Sequence, residues 1–151
     1  MNPMITLYTD SSPNGFKITI ALEELGLTYH LRHIKIDQGE NRSPAFLRLN
    51  PHGRIPVLVD ASNGITLFES AAILLYLADI TGRLLPVEPA KRWEAIQWLM
   101  FHAASVGPVM GQRVHFELFA ADKIPQAISS YRRLMDEAFT TLDNRLAEHP
   151  Y

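Results

Sequence analysis

No cysteine occurs among the 151 residues. That absence excludes disulfides, thiolate metal sites, Cys-X-X-Cys redox chemistry and a cysteine nucleophile together, so any thiol chemistry must use a thiol carried in by a ligand. A large excess of charge of one sign is lacking as well. The formal net charge is -2, which leaves no basic surface to draw in nucleic acid or anionic lipid. Long apolar runs are missing too: the densest, residues 71–78, falls far short of the ~20 residues that cross a bilayer. No nucleic-acid or membrane partner is expected. Met1-Asn2-Pro3-Met4 has neither a basic nor an apolar leader segment, and a cytoplasmic location is the expectation. The six histidines form no ligand pattern. His30 and His33 fall on a predicted strand, where residues three apart face opposite sides, and no bound metal is expected.

What is present is a balanced globular composition, 47% hydrophobic and 20% charged, enough for one ordinary domain or two small ones. Residues 4–8 read as a strand by their β-branched and aromatic content. Asp10-Ser11-Ser12-Pro13-Asn14-Gly15 is a dense turn signal. Phe16, Ile20, Ala21 and Leu25 recur at helical spacing and Gly26 stops them. Residues 29–36 return as a strand, so the chain opens strand–helix–strand with a connection that favours parallel pairing. A polar loop (37–42), a short helix (44–49), and two strands (55–59 and 65–68) joined by Ser62-Asn63-Gly64 follow. Residues 69–82 form a helix that is apolar nearly all round.

Beyond that point the pattern is helical throughout. Residues 90–119 form one stretch that Gly107-Pro108 should kink or interrupt. Residues 125–148 form a second long helix. The expected fold class is therefore a compact α/β domain, βαβ-α-ββα, over residues 1–82. A linker (83–89) and an all-α domain (90–151) follow.

Three segments carry chemistry: Ser11-Ser12-Pro13-Asn14-Gly15, Arg54-Ile55-Pro56 and Phe68-Glu69-Ser70. Each has a plainer reading, as a turn with a helix cap, a strand entry, and a charged cap. Their order in one βαβ unit changes the weighing, because strand ends and helix N-termini gather there at one edge where ligands bind. Ser70 would hold a carboxylate and Glu69 an ammonium. Ile55, before a cis Pro56, would offer main-chain atoms to an extended peptide. Ser12 or Asn14 would hydrogen-bond a thiolate, whose pKa of about 8.5 a helix N-terminus lowers. A short peptide with carboxylate, ammonium and thiol is glutathione.

Ser12 to Lys17, residues 44–60 and residues 67–78 resemble the N-terminal domain of the glutathione transferase superfamily, which implies an α/β thioredoxin-like fold for residues 1–82. The likeness is greatest to the bacterial nu-class subgroup of glutathione-dependent disulfide-bond oxidoreductases. Gln97-Trp98-Leu99-Met100-Phe101 and residues 107–112 resemble that subgroup's first helix of the second domain. The resemblance implies that Asn14, then Ser12, then Ser11 face the thiol. It implies that Ile55 and Pro56 hold the cysteinyl residue, Glu69 and Ser70 the γ-glutamyl end, and Arg54 the glycyl carboxylate. Asn41 stands where a glutamine is usual and has a shorter reach. Ser130 precedes Tyr131 where an arginine is usual, with Arg132 and Arg133 following.

The resemblance further implies a homodimer that uses glutathione as cosubstrate against a disulfide or an electrophilic small molecule. Disulfide reduction is the first expectation. Conjugation is the second, with Trp98, Phe101, Met110 and Phe116 as an apolar acceptor pocket, residues whose spacing also reads as helix core. A non-catalytic glutathione-binding regulator is the third. Family relatives continue past Tyr151 with further helices, so the helical domain is expected to be incomplete, with Leu134, Phe139, Leu142 and Leu146 uncovered by it.

Overall fold

The computed structural model describes residues 4–149. Strand β1 (Ile5–Thr9) buries Ile5, Leu7 and Thr9 and half-buries the residues between. Helix α1 (Pro13–Leu25) starts where Ser12 turns its Oγ to accept the Gly15 N–H at 3.1 Å, with Pro13 at the first helical position, where a missing N–H costs nothing. Strand β2 (Tyr29–His33) pairs parallel to β1, from Ile5 opposite Tyr29 to Thr9 opposite His33. After α2 (Pro44–Leu49) come β3 (Val57–Asp60), antiparallel to β1, and β4 (Ile65–Phe68), antiparallel to β3. Helix α3 (Ser70–Thr81) follows. The sheet order is β2-β1-β3-β4. This is the thioredoxin-like arrangement of one parallel and two antiparallel pairings.

Both faces of the sheet are covered. Leu7 and Leu58 point to the side where Ile18 and Leu22 of α1 meet Ile73 and Leu77 of α3. Their neighbours Tyr8 and Val57 point to the other side, against Phe46 of α2 and Ile34. The alternation of the strands thus decides which helix covers which face. Asp60, at the end of β3, is only 4% exposed. It accepts from the Ser62 N–H (2.9 Å), the Ser62 hydroxyl (2.6 Å) and the Tyr76 hydroxyl (2.6 Å), tying the hairpin to α3. Burial works against its ionisation, but these donors outweigh it and hold the carboxyl below its ordinary range.

Two expected elements end early. The strand expected over 29–36 stops at His33, and Ile36 opens a 3-10 turn, because its N–H is taken by Asp10 Oδ2 at 3.3 Å. The helix expected from 69 begins at Ser70, since Glu69 stands at φ 72°, ψ 113°, outside the helical region.

The chain divides into two compact units between Pro86 and Val87. In the second, α4 (Pro89–Phe101) is capped by the Glu88 carboxylate on the N–H groups of Ala90 and Lys91. The α-helix, expected to kink or be interrupted at Gly107-Pro108, is interrupted just before that pair but not broken. Gly107 has helical angles, and a π-helical turn over His102–Val106 leads into α5 (Gly107–Val114). Its Gly107 N–H reaches back five residues to the His102 carbonyl. Widening the turn before a proline absorbs the N–H that proline lacks, so the helix bulges rather than breaks. A second π turn (His115–Phe119) precedes α6 (Pro125–Glu148). The core of this unit is Val106, Met135 and Ala138, with Phe101, Val109 and Leu142 against it. Phe139 and Leu146 are 45% and 54% exposed, whereas Leu134 and Leu142 are half-buried. Among the described residues no helix is long and apolar enough to cross a membrane, and no three His, Asp or Glu side chains group as a metal site.

Candidate functional site

Register brings the three sequence segments to one place. Tyr8 pairs with Val57, and Val57 with Phe68. The exit of β1, the entry to β3 and the exit of β4 therefore lie in a row at one end of the sheet. Residues 9–14, 55–56 and 69–70 leave the sheet there, as the βαβ argument requires.

At the first corner, Thr9 is buried and Gly15 sits against it. A Cβ on Gly15 would overlap Thr9 Oγ1 and lie 2.8 Å from the Asp10 carbonyl, so only glycine allows the loop this close to β1. Asp10 Oδ1 accepts from the Ser11 N–H (2.7 Å) and lies 2.9 Å from His33 Nε2. The Ser11 N–H, then His33, hold its carboxyl below the ordinary range. Ser12 is spent on the cap of α1. Asn14 is exposed, and its amide makes no hydrogen bond among the described residues. Ser11 is exposed as well.

At the second corner the Ile55–Pro56 peptide is cis. The loop before it is organised by two asparagines. Asn50, 2% exposed, donates to the Arg54 carbonyl at 2.7 Å and accepts from the His52 N–H at 2.9 Å. Asn41 donates to the Gly53 carbonyl at 2.8 Å. Gly53 needs its left-handed φ of 66°, and a side chain there would meet Arg42 Nη1 at 2.6 Å. Asn41, a candidate ligand by sequence, has its amide N–H committed to shaping this loop. Sequence reasoning missed Asn50, whose only signal was an asparagine opening an Asn-Pro-His-Gly turn. Arg54 is exposed and makes no hydrogen bond or ion pair among the described residues.

At the third corner Glu69 holds a left-handed backbone, a strain of roughly 1–3 kcal/mol for a residue with a Cβ that persists where the surroundings enforce it. Ser70 Oγ accepts from Lys17 Nζ at 3.2 Å, joining α1 to the start of α3. Burial pushes the Lys17 ammonium pKa down, and the Glu69 charge opposes that shift. Lys17 lies three residues beyond Asn14, on the same face of α1. In the sequence it stands within the Ser12–Lys17 stretch with no local sign of a partner. Two helix N-termini, a carboxylate and an ammonium thus frame a polar end of the sheet suited to a zwitterionic, anionic peptide.

The family model for the glutathione S-transferase N-terminal domain matches residues 3–79. The disulfide-bond oxidoreductase YfcG of Escherichia coli is 40% identical over 153 residues, which cover 98% of this chain and 71% of that protein. The chain belongs to the glutathione transferase superfamily. The transcriptional regulator URE2 of Saccharomyces cerevisiae, another relative, is 34% identical over 91% of this chain and 41% of its own length. Among solved structures, the glutathione transferase URE2P6 from Phanerochaete chrysosporium, in complex with oxidized glutathione, superposes with a TM-score of 0.93 at 38% identity. That match covers 99% of this chain and 70% of the other.

The four acceptor-pocket candidates of this transferase-family chain are spread over the packing of the helical unit. Trp98 and Phe101 meet edge to face at 5.6 Å, and Phe101 also packs on the Met135 core. Phe116 stacks on Tyr131 at 5.5 Å. Met110 is 40% exposed. Arg132, beside Tyr131, is held by Glu117 at 2.7 Å.

Proposed function

We propose that this chain is a glutathione-dependent thiol–disulfide oxidoreductase. The observation that carries the reading is the convergence, at one end of the sheet, of the Asn14 amide, the Ile55–Pro56 edge and the strained Glu69-Ser70 entry to α3. Glu69 and Ser70 bind the γ-glutamyl ammonium and carboxylate, with Lys17 completing the charge around the carboxylate. Ile55 pairs main chain to main chain with the cysteinyl residue, and Arg54 takes the glycyl carboxylate. Asn14, at the N-terminus of α1, donates to the thiolate and favours its ionised form.

That thiolate attacks one sulfur of a substrate disulfide. A glutathione mixed disulfide forms and the other half leaves as a thiolate. A second glutathione thiolate then attacks the mixed disulfide, giving oxidised glutathione and the second substrate thiol. The chain has no cysteine, so every sulfur exchanged belongs to glutathione or substrate. The relatedness to YfcG supports this chemistry over others of the superfamily. A homodimer in the cytoplasm belongs to the same proposal, and sedimentation velocity tests its assembly.

The relatedness to URE2 favours one other reading, a glutathione-binding regulator without turnover. Hydroxyethyl disulfide and chlorodinitrobenzene, each with glutathione, separate the cases. Turnover of the disulfide well above the chloroarene is expected. The opposite order assigns conjugation, and glutathione binding with neither turnover assigns the regulator.

A further inference from the structure

Strand β2 stands at the outer end of the sheet and pairs with β1 alone. The Ile34 N–H reaches the Thr9 carbonyl at 2.8 Å. Alternation along the strand therefore turns the N–H and C=O groups of Leu31 and His33 the other way, out of the sheet. Among the described residues these outward groups have no hydrogen-bond partner. Such an edge is a template for another strand, and proteins blunt it with proline, a bulge or charge. Strand β2 has no proline, and its register with β1 runs unbroken from Tyr29 to His33. Charge alone guards it.

The two sides of this edge differ. Leu31 lies opposite Leu7, and Arg32 opposite Tyr8, so Leu31 and His33 project on the α1 side and His30 and Arg32 on the α2 side. On the α1 side a pocket of about 260 Å³ runs beside the edge, between Leu31 and the α1 residues Phe16 and Thr19, with Asp10 and His33 at its polar end. That is below the roughly 300–1,000 Å³ of small-molecule sites and suits one side chain better than a whole ligand. Its apolar walls are uncovered, with Leu31 56% and Phe16 51% exposed. The acids on this side are engaged. Glu23 accepts from the Tyr29 hydroxyl at 3.0 Å, and Asp10 lies 2.9 Å from His33.

On the α2 side His30 and Arg32 are exposed, and neither has a hydrogen bond or ion pair among the described residues. Glu40 is on that side too, but its Oε2 accepts from the Lys35 N–H at 2.9 Å. A second β2 laid antiparallel about Leu31 would set His30 against Arg32 twice, with no acid in either strand to pair them. The edge thus repels its own copy and suits a strand of opposite charge.

We propose that the free edge of β2 binds an extended peptide in which acidic and apolar residues alternate. The peptide adds antiparallel to β2, the more stable pairing per residue. Its central apolar side chain lies opposite Leu31 and enters the pocket beside Phe16. The acidic residues before and after it lie opposite His30 and Arg32. Main-chain hydrogen bonds supply the affinity, and the two alternating rows of side chains supply the selectivity. The proposal does not depend on the glutathione reading.

The test is calorimetric titration of the full chain with the terminally blocked peptide Thr-Val-Glu-Leu-Glu-Val-Thr. Saturating S-hexylglutathione is present, so that no acidic peptide is held at the candidate glutathione site. One peptide should bind per chain, and the same peptide with lysine for both glutamates should not. N-methylation of the central leucine removes an N–H that faces β2 and should abolish binding. N-methylation of either glutamate, whose N–H faces solvent, should leave the affinity within about threefold, since no ladder hydrogen bond is lost. Arg32→Glu should weaken binding about tenfold or more, because it turns an attraction into a like-charge pair directly across the strands, while Arg32→Lys keeps most of the affinity. The peptide arms need no variant and decide the case if Arg32→Glu does not fold. No saturable binding overturns the proposal, as do equal effects of N-methylation at all three positions, equal binding of the lysine peptide, or an Arg32→Glu affinity that is unchanged. Dissociation of a dimer of the chain as the peptide binds, seen by sedimentation velocity, would assign the edge to a second copy and overturn it too.

Discussion

In the α/β unit, Leu7, Ile18, Leu22, Leu58, Ile73 and Leu77 are fully enclosed on one face of the sheet, and Val57 on the other. In the helical unit only Val106, Met135 and Ala138 are buried among the described residues. Trp93, Leu118, Phe119, Phe139 and Leu146 stay exposed. A sheet covered on both faces fixes the loops that leave its end, because each loop is anchored by a strand on one side and a capped helix on the other. Three packed helices with a thin core fix much less. Under the proposed function, the difference gives the two units different work. Residues that must hold a ligand in one geometry belong to the first, and residues that tolerate varied apolar partners belong to the second.

The largest effect should come from striking the thin core. Met135 is 1% exposed, and Met135→Ala should cost about 2–5 kcal/mol through lost burial and an unfilled cavity. Both tryptophans of the chain, Trp93 and Trp98, lie in the helical unit, so tryptophan fluorescence during denaturant unfolding reads that unit alone. Its transition should move to lower denaturant. An unmoved transition would mean that the helical unit is held together by something other than its buried residues.

The next effect sharpens the contrast at the site. Ser70→Ala and Glu69→Gly should each raise the glutathione Kd roughly 10- to 150-fold, equivalent to losing a charge-assisted hydrogen bond of about 1.5–3 kcal/mol. Yet Glu69→Gly should leave the protein at least as stable as before, since glycine adopts φ 72° without the penalty a Cβ incurs. Calorimetry reads the first and thermal unfolding the second. Weaker binding together with lower stability would show that Glu69 is a structural cap and not a residue strained for a ligand.

A smaller pair divides the first corner. Ser12→Ala removes the cap of α1 and should cost about 0.5–2 kcal/mol of stability. Asn14→Ala should leave stability within about 0.5 kcal/mol and lower disulfide turnover at saturating glutathione, because its amide has no structural partner among the described residues. Wild-type turnover in Asn14→Ala would pass the thiolate to Ser11 or to the helix N-terminus itself.

The sequence carried much of this. The β-branched and aromatic content of residues 4–8, the turn signal over residues 10–15 and the helical spacing that Gly26 stops are local signals, and they located the first strand, the first helix and the loop between them. Other features depended on partners distant in the chain. Asn41, expected to hold a ligand, also donates to the Gly53 carbonyl twelve positions on, a partner no local pattern indicates. Lys17 acquired a place only because Ser70 lies 53 residues further along. The left-handed backbone of Glu69 has no sequence signal, since glycine or asparagine would be expected there. Gly107-Pro108 signalled a kink or interruption, and its form, a π turn that uses one extra residue and keeps the chain helical, was not legible.

The smallest effect concerns whether polar surface pairs make up for the thin helical core. Arg145 Nη2 lies 2.8 Å from Glu94 Oε1, and its guanidinium sits over the Trp98 ring at 5.5 Å. Both contacts join α6 to α4, and both partners of the ion pair reach solvent, 26% and 44% exposed. Water and salt screen such a pair, so its gain is about 0–1 kcal/mol, with the ring contact adding roughly 0.5–1 kcal/mol at an exposed site. Arg145→Ala should therefore lower the stability of the helical unit by about 1 kcal/mol at low salt and by less at high salt, read through the same tryptophan transition. The screened part is the ion pair, and the salt-insensitive remainder is the stem and ring contact. A loss above about 2 kcal/mol, unchanged by salt, would mean that Arg145 and Trp98 act as core in this unit, and the contrast between a closed unit and a thinly held one would narrow accordingly.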